Sequence, residues 1–227
     1  MPAPLKTVLE DLLKARRLQA ELPPLRGEDQ RFRLVKSGIA PLDNLIQGFP
    51  RGQLSEVSGT ASSGRTGIAL ALVASITARG ALSAWIDPAD RFDPTSAEAA
   101  GAGLERLLWL RGRSLQDSVS AAGNLLGSGL FEAVVLDLAS AGPAELHRLP
   151  GSTWIRLQRM AADKPTALVL LASVHVACGP GGVRLDLQPA RPRWSGNGQS
   201  RLLRGLDAAA SAGRHMTRRT SFTLHAI

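Results

Sequence analysis

Apolar residues recur at three- and four-residue steps near the start of the chain, at Leu5, Val8, Leu9, Leu12 and Leu13, with Glu10 four residues ahead of Lys14. This period predicts an amphipathic helix over Leu5 to Ala20. Glu21-Leu22-Pro23-Pro24 stops it, and the charged stretch Arg26 to Arg31 sets it apart. Residues 1–30 therefore read as an appendage and linker, and 31–227 as the core. A short strand is expected at Arg33-Leu34-Val35, then a turn and a short helix ending near Gly48. Leu54 to Ser58 reads as a strand running into Gly59. The segment Thr66 to Ala78 is apolar nearly all round, so its helix must be covered on several sides.

From there strand and helix patterns alternate: Leu82 to Ile86, a polar helix at Thr95 to Ala100, Leu107 to Leu110, a helix at Leu115 to Leu126, Ala133 to Leu138, and helices around Ala144 and Trp154 before Leu168 to Leu171. Val134-Val135-Leu136 and Leu168-Val169-Leu170-Leu171 are continuous apolar runs, as in strands buried on both faces. The expected fold is α/β, a mostly parallel sheet flanked by helices. Val183 to Leu187 and Thr220 to Leu224 alternate instead, which predicts antiparallel strands finishing the sheet edge, with Pro189 to Ser200 as a mobile loop between them.

Composition adds little to this picture until charge is placed along it. The 227 residues are 44 % hydrophobic and 20 % charged, an ordinary globular balance. Cys178 is the single thiol and there are four histidines, so no internal disulfide and no zinc site are expected. Charges interrupt every apolar run at the start, no stretch is long enough for a membrane span, and a cytoplasmic location is expected. The net charge of +8 is uneven: residues 1–140 hold equal numbers of basic and acidic residues, and 141–227 hold 12 basic and 4 acidic. The last third therefore carries the whole excess, which fits either a polyanion or acidic partner, or a solvated basic face. Arg191, Arg193, Arg218 and Arg219 are the candidate phosphate contacts, with Trp194 as a candidate stacking platform.

The chemistry-bearing motif is Gly59-Thr60-Ala61-Ser62-Ser63-Gly64-Arg65-Thr66, set between a buried strand and a helix start. Its spacing is that of a phosphate loop, in which backbone N–H groups and the helix dipole receive an anion and the final hydroxyl can ligate magnesium. The candidate nucleotide-binding residues are Gly59, Ser62, Ser63, Gly64, Arg65 and Thr66, joined by Asp137 at the end of the strand where a carboxylate would orient magnesium. Position 65 is arginine where such loops carry lysine. A planar guanidinium is harder to fit between phosphates than a compact ammonium, so hydrolysis should suffer. An inherited turn that holds no nucleotide is the alternative reading.

Ser37-Gly38-Ile39, Leu42-Asp43, Gly48-Phe49-Pro50-Arg51-Gly52, Glu56, Ser62-Ser63-Gly64-Arg65-Thr66, Ile86-Asp87 with Asp93-Pro94, and Val183 to Leu187 together resemble the core of the RecA recombinases over roughly residues 5–188. The resemblance implies a RecA-like phosphate-loop fold. The altered loop and small size are similar to the ImuA-like branch, RecA relatives without recombinase activity that serve damage-induced (SOS) mutagenesis and translesion synthesis. By that likeness the partners would be RecA, an ImuB-like protein and an error-prone replicative-type polymerase, with DNA reached through the basic last third. Leu5, Leu9, Leu12, Leu13 and Leu34 would then be protein-contact positions, since this region lies where RecA places its protomer-bridging segment.

Departures from the active pattern all bear on catalysis. Pro88-Ala89 follows Ile86-Asp87 where the family's water-activating glutamate would stand, tyrosine is absent from the whole chain, and Ala172-Ser173 replaces a glutamine that senses the γ-phosphate. The stretches corresponding to the two DNA-binding loops look short, Cys178 to Gly182 being a tight turn. No catalytic residue, metal site or obligatory cofactor is expected, magnesium–ATP being what an intact loop would hold. The competing reading is a DNA-stimulated ATPase in which Asp90 acts as base.

Overall fold

The order of apolar runs is met by a chain that winds helices onto both faces of one large sheet. The computed structural model describes residues 34–177, 181–197, 200–213 and 218–225. The expected helix over Leu5 to Ala20, with Leu5, Leu9, Leu12 and Leu13, lies outside them. Leu34–Val35 (β1) pairs antiparallel with Phe49–Pro50 (β2) in a small separate ladder, around a helix at Ala40–Ile46 (α1). Asp43 ties this corner together, accepting from the backbone and hydroxyl of Ser37 and from the Gly38 N–H.

The main sheet is made from Leu54–Gly59 (β3), Ser83–Ile86 (β4), Leu107–Leu110 (β5), Ala133–Asp137 (β6), Ala167–Ala172 (β7), Arg184–Leu187 (β8), Arg191–Ser195 (β9), Leu202–Ala212 (β10) and Arg218–His225 (β11). Its order is β11-β10-β8-β3-β7-β6-β4-β5, with β9 also on β10. The six strands from β8 to β5 are parallel; β8, β9 and β11 each meet β10 antiparallel. Residues of β3, β6 and β7 are buried along almost their whole length, which is why the apolar runs of β6 and β7 do not alternate.

On one face Arg65–Thr77 (α2), α1 and Pro94–Ala99 (α3) enclose a core with Val57, Trp85, Val135, Val169, Leu185 and Phe222. On the other, Leu115–Ser128 (α4), Pro143–His147 (α5) and Gly151–Ala162 (α6) cover Ala84, Ile86, Val134, Leu136, Leu168 and Leu170. No described helix is long and apolar enough to cross a membrane.

Two expectations about the tail are corrected. The strand at Val183 to Leu187 is parallel to β3 and antiparallel only to β10, so it is the point where strand direction changes. Its alternation reflects a buried face, with Leu185 and Leu187, and a second face with only half-buried Arg184 and Asp186. The stretch Pro189 to Ser200, expected as a mobile loop, contains β9, paired from Arg191 to Ser195 with β10. Its residues are almost all exposed, so its sequence shows no burial pattern to read.

Candidate functional site

The parallel strands deliver their C-terminal ends to one edge, where sheets of this kind bind ligands. β3 leads into the loop Gly59 to Gly64 and then α2. Ser62 (φ 58°) and Gly64 (φ 96°) are left-handed, which wraps the loop; the Ala190 N–H donates to the Ser62 carbonyl and holds it from outside. Thr66 is exposed at the first turn of α2, while the Ser63 side chain is 1 % exposed and its Oγ has no hydrogen-bond partner.

Arg65 does not point into the loop. Its guanidinium is buried beneath it, Nη1 donating to the Ala172 carbonyl at 2.6 Å at the end of β7. Burial lowers its pKa and the charge of Asp137 opposes that fall. Asp137 accepts from the Ala139 N–H at 3.0 Å. Burial, aided by the charge of Asp87, raises its carboxyl to about 6 despite Arg65 and that hydrogen bond. The expected loop residues and Asp137 are thus brought together at one edge, but around an inward-turned arginine.

The remaining acids nearby are committed elsewhere. Asp87 is buried and accepts from the Phe92 N–H at 2.7 Å, closing a turn. Asp90, the candidate base of the ATPase reading, is exposed and pairs with Arg111 at 3.5 Å. The position after Pro88 is Ala89, which carries no proton-accepting group.

Over the loop lies a wall built from β10 and the expected strand at Thr220 to Leu224, whose placement there the sequence did not announce. Leu224 of β11 packs on the start of α2 so closely that a Cβ on Gly64 would stand 2.7 Å from its Cδ1, and one on Gly67 2.8 Å. A cavity of about 280 Å³ remains, bounded by Ser62 to Gly67 and by Leu203, Gly205, Leu206, Leu224 and His225. That is just below the roughly 300–1,000 Å³ of ligand pockets. The alternating apolar positions Leu206, Ala208, Ala210 and Ala212 were the available signal for β10, obscured by Gly205 and Asp207.

A second buried network adjoins the loop. Glu56 accepts from the backbone N–H groups of Val176 and Ala177 and faces Nδ1 of His175 at 3.0 Å, while Nε2 of that ring lies 2.7 Å from the Ser58 hydroxyl. It fastens the segment after β7 to the strand that feeds the loop. Glu56 entered the sequence reading only as a motif residue.

A family model for the RecA N-terminal domain matches residues 24–153. The chain belongs to that family. It is similar to the RecA proteins of Lactobacillus delbrueckii subsp. bulgaricus (34 % identical over 134 residues, 57 % of this chain and 40 % of that protein) and Rubrobacter xylanophilus (35 % over 133 residues, 57 % and 39 %). The match to RecA of Streptococcus gordonii is 34 % over 115 residues, 50 % of this chain and 30 % of that one. The matched stretch spans about two fifths or less of these relatives' length.

The candidate nucleic-acid arginines of this RecA-family chain are all exposed but fall into two groups. Arg191 and Arg193 lie opposite Asp207 and Gly205, whereas Arg218 and Arg219 lie opposite Ala212 and Ser211. At ~3.3 Å per residue the groups stand roughly 13–23 Å apart along β10. Arg193 is also 3.9 Å from the Asp207 carboxylate. Leu34 is 44 % exposed while its neighbour Val35 is buried, so the first described strand offers one apolar side chain outward.

Proposed function

We propose that this chain is a non-catalytic RecA-like accessory protein of the ImuA-like kind, acting in SOS mutagenesis and translesion synthesis. It would bind RecA, or the complex of an ImuB-like protein with an error-prone polymerase, and reach DNA through its basic strands. The observation that carries the non-catalytic part is the Arg65 guanidinium, hydrogen-bonded to the Ala172 carbonyl beneath the loop. A phosphate loop works by presenting a free cation to the β- and γ-phosphates. Here the cation that the loop itself carries is withdrawn into the fold, and the likeness offers no base at Ala89.

The residues present do not fit a magnesium-bound triphosphate: the loop N–H groups and Thr66 remain, but the loop's own cation is turned away from where the phosphates would lie, and Leu224 crowds the cradle. In this reading the loop is scaffolding, the protein contacts are made by Leu34 and by Leu5, Leu9, Leu12 and Leu13, and the DNA contacts by the basic strands.

Two measurements test it. Titration calorimetry of the full chain with magnesium–ATP should give no saturable heat up to about 1 mM; micromolar binding with phosphate release lost in Thr66→Ala would establish the DNA-stimulated ATPase instead. In parallel, RecA should co-purify with the full chain and be lost on deleting residues 1–30. Co-purification that survives the deletion removes the partner assignment of the N-terminal leucines.

A further inference from the structure

Five large hydrophobic side chains stand exposed among the described residues, and three of them, Trp194, Leu202 and Leu203, sit on the β9–β10 hairpin. Register sorts them. Trp194 and Leu203 are directly opposite each other, so they share a face. Pro192 and Leu206, two and three residues further along, form the next such pair on that face, after a bulge at Arg204. Leu206 is in turn opposite Leu224, the residue packed on the phosphate loop. One apolar stripe therefore runs from the loop out to a tryptophan that is 53 % exposed.

The arginines are placed differently. Arg191 and Arg193 project from the other face of β9, and Arg204 turns to Ser195 on that same side, its Nε donating at 2.7 Å. A single nucleic-acid strand stacking on Trp194 would need cations beside the ring; the stripe instead continues into leucines, whose burial rewards an apolar partner and gives a base nothing to stack on. An exposed tryptophan set beside apolar side chains is the kind of anchor that protein-binding hot spots use. A second copy is disfavoured because like basic surfaces would face each other, the chain carrying +8. An acidic partner is favoured by that same charge. It is also favoured at the inner end of the stripe, where the start of α2 presents N–H groups and the buried Ser63 Oγ lacks a partner.

We propose that the groove between the phosphate loop and the apolar face of the β9–β10 hairpin docks an acidic peptide segment of another protein, with a large apolar side chain lodged against Trp194 and Leu203 and a carboxylate at the loop. This rests on the reading that the loop holds no triphosphate: one carboxylate needs only the N–H groups that remain.

The test selects a random twelve-residue peptide display library on the immobilised full-length chain and remeasures the selected peptide, fluorescein-labelled, by fluorescence polarisation. The selected sequences should converge on an aromatic or leucine flanked by Asp or Glu. Trp194→Ala and Leu203→Ala should each weaken binding at least tenfold at unchanged thermal midpoint, and Ile155→Ala, at an exposed apolar residue elsewhere, should leave it unchanged. Lack of convergence, convergence on basic peptides, or undiminished binding by Trp194→Ala overturns the inference while leaving the non-catalytic reading intact. Displacement of the peptide by a (dT)20 oligonucleotide whose own affinity falls tenfold in Trp194→Ala assigns the groove to nucleic acid and also overturns it. Displacement by micromolar ATP overturns both.

Discussion

At the scale of single residues, the site is governed by what happens to two charges when they leave water. Arg65 keeps its charge by donating to a carbonyl at a strand end, a charge-assisted hydrogen bond in a buried place. Arg65→Ala leaves the Ala172 carbonyl without that donor and should cost about 1–3 kcal/mol in chemical denaturation. Asp137 pays in the opposite sense. Its folded pKa of about 6 lies above the ordinary 3.8, so the folded state binds its proton more tightly than the unfolded chain does. The resulting stabilisation is full below pH 4 and is lost as pH rises through 6, an effect of order 2–3 kcal/mol. Asp137→Asn, whose side-chain carbonyl can still accept from the Ala139 N–H, should therefore match the wild type near pH 3.5 and exceed it by up to about that amount at pH 7.5. Equal stability of the two at both pH values would refute the raised pKa. The loop spacing and the Asp137 position were legible in the chain. The direction of Arg65 was not, because it depends on where a strand 107 residues away ends.

At the scale of elements, continuous apolar runs announced β6 and β7, since burial on both faces leaves no alternation to misread. The tail was read less well for a reason its packing supplies. β8 has one open face, so it alternates like an antiparallel strand, yet it runs parallel to β3 because the chain re-enters beside that strand. The re-entry needs a very close backbone approach: a Cβ on Gly182 would overlap the Leu54 carbonyl oxygen. The adjoining Val183 carbonyl accepts from the Glu56 N–H, and its N–H donates to the Ser55 hydroxyl. Gly182→Ala should thus push β8 off β3 and destabilise by more than about 2 kcal/mol, measured by thermal or urea unfolding. Phe222→Ala, on β11 and buried against α1, should cost roughly 3–5 kcal/mol. Trp194→Ala on the exposed hairpin should change stability by less than about 0.5 kcal/mol, which is what permits it as a binding probe.

At the scale of the whole molecule, the charge asymmetry of the sequence becomes a geometry. Five of the twelve basic residues of 141–227 lie on the three strands added beyond β8, and the two candidate arginine groups stand beside the middle and the C-terminal end of β10. A single-stranded oligonucleotide long enough to run along β10 would touch both groups, and each phosphate neutralised contributes about 0.7 to the slope of log affinity against log salt concentration. Arg218→Ala with Arg219→Ala should therefore flatten that slope by about 0.7, because adjacent strand residues face opposite ways and Arg219 alone of the two shares the face of Arg191 and Arg193. Arg191→Ala with Arg193→Ala should flatten it by less than twice that amount, because Arg193 already shares its charge with Asp207. Combining all four changes should sum the two effects, since the groups are too far apart to share a phosphate. A slope that either pair abolishes alone would mean a short contact at one place on β10, and the strands beyond β8 would then be a platform with one basic patch instead of a track with two.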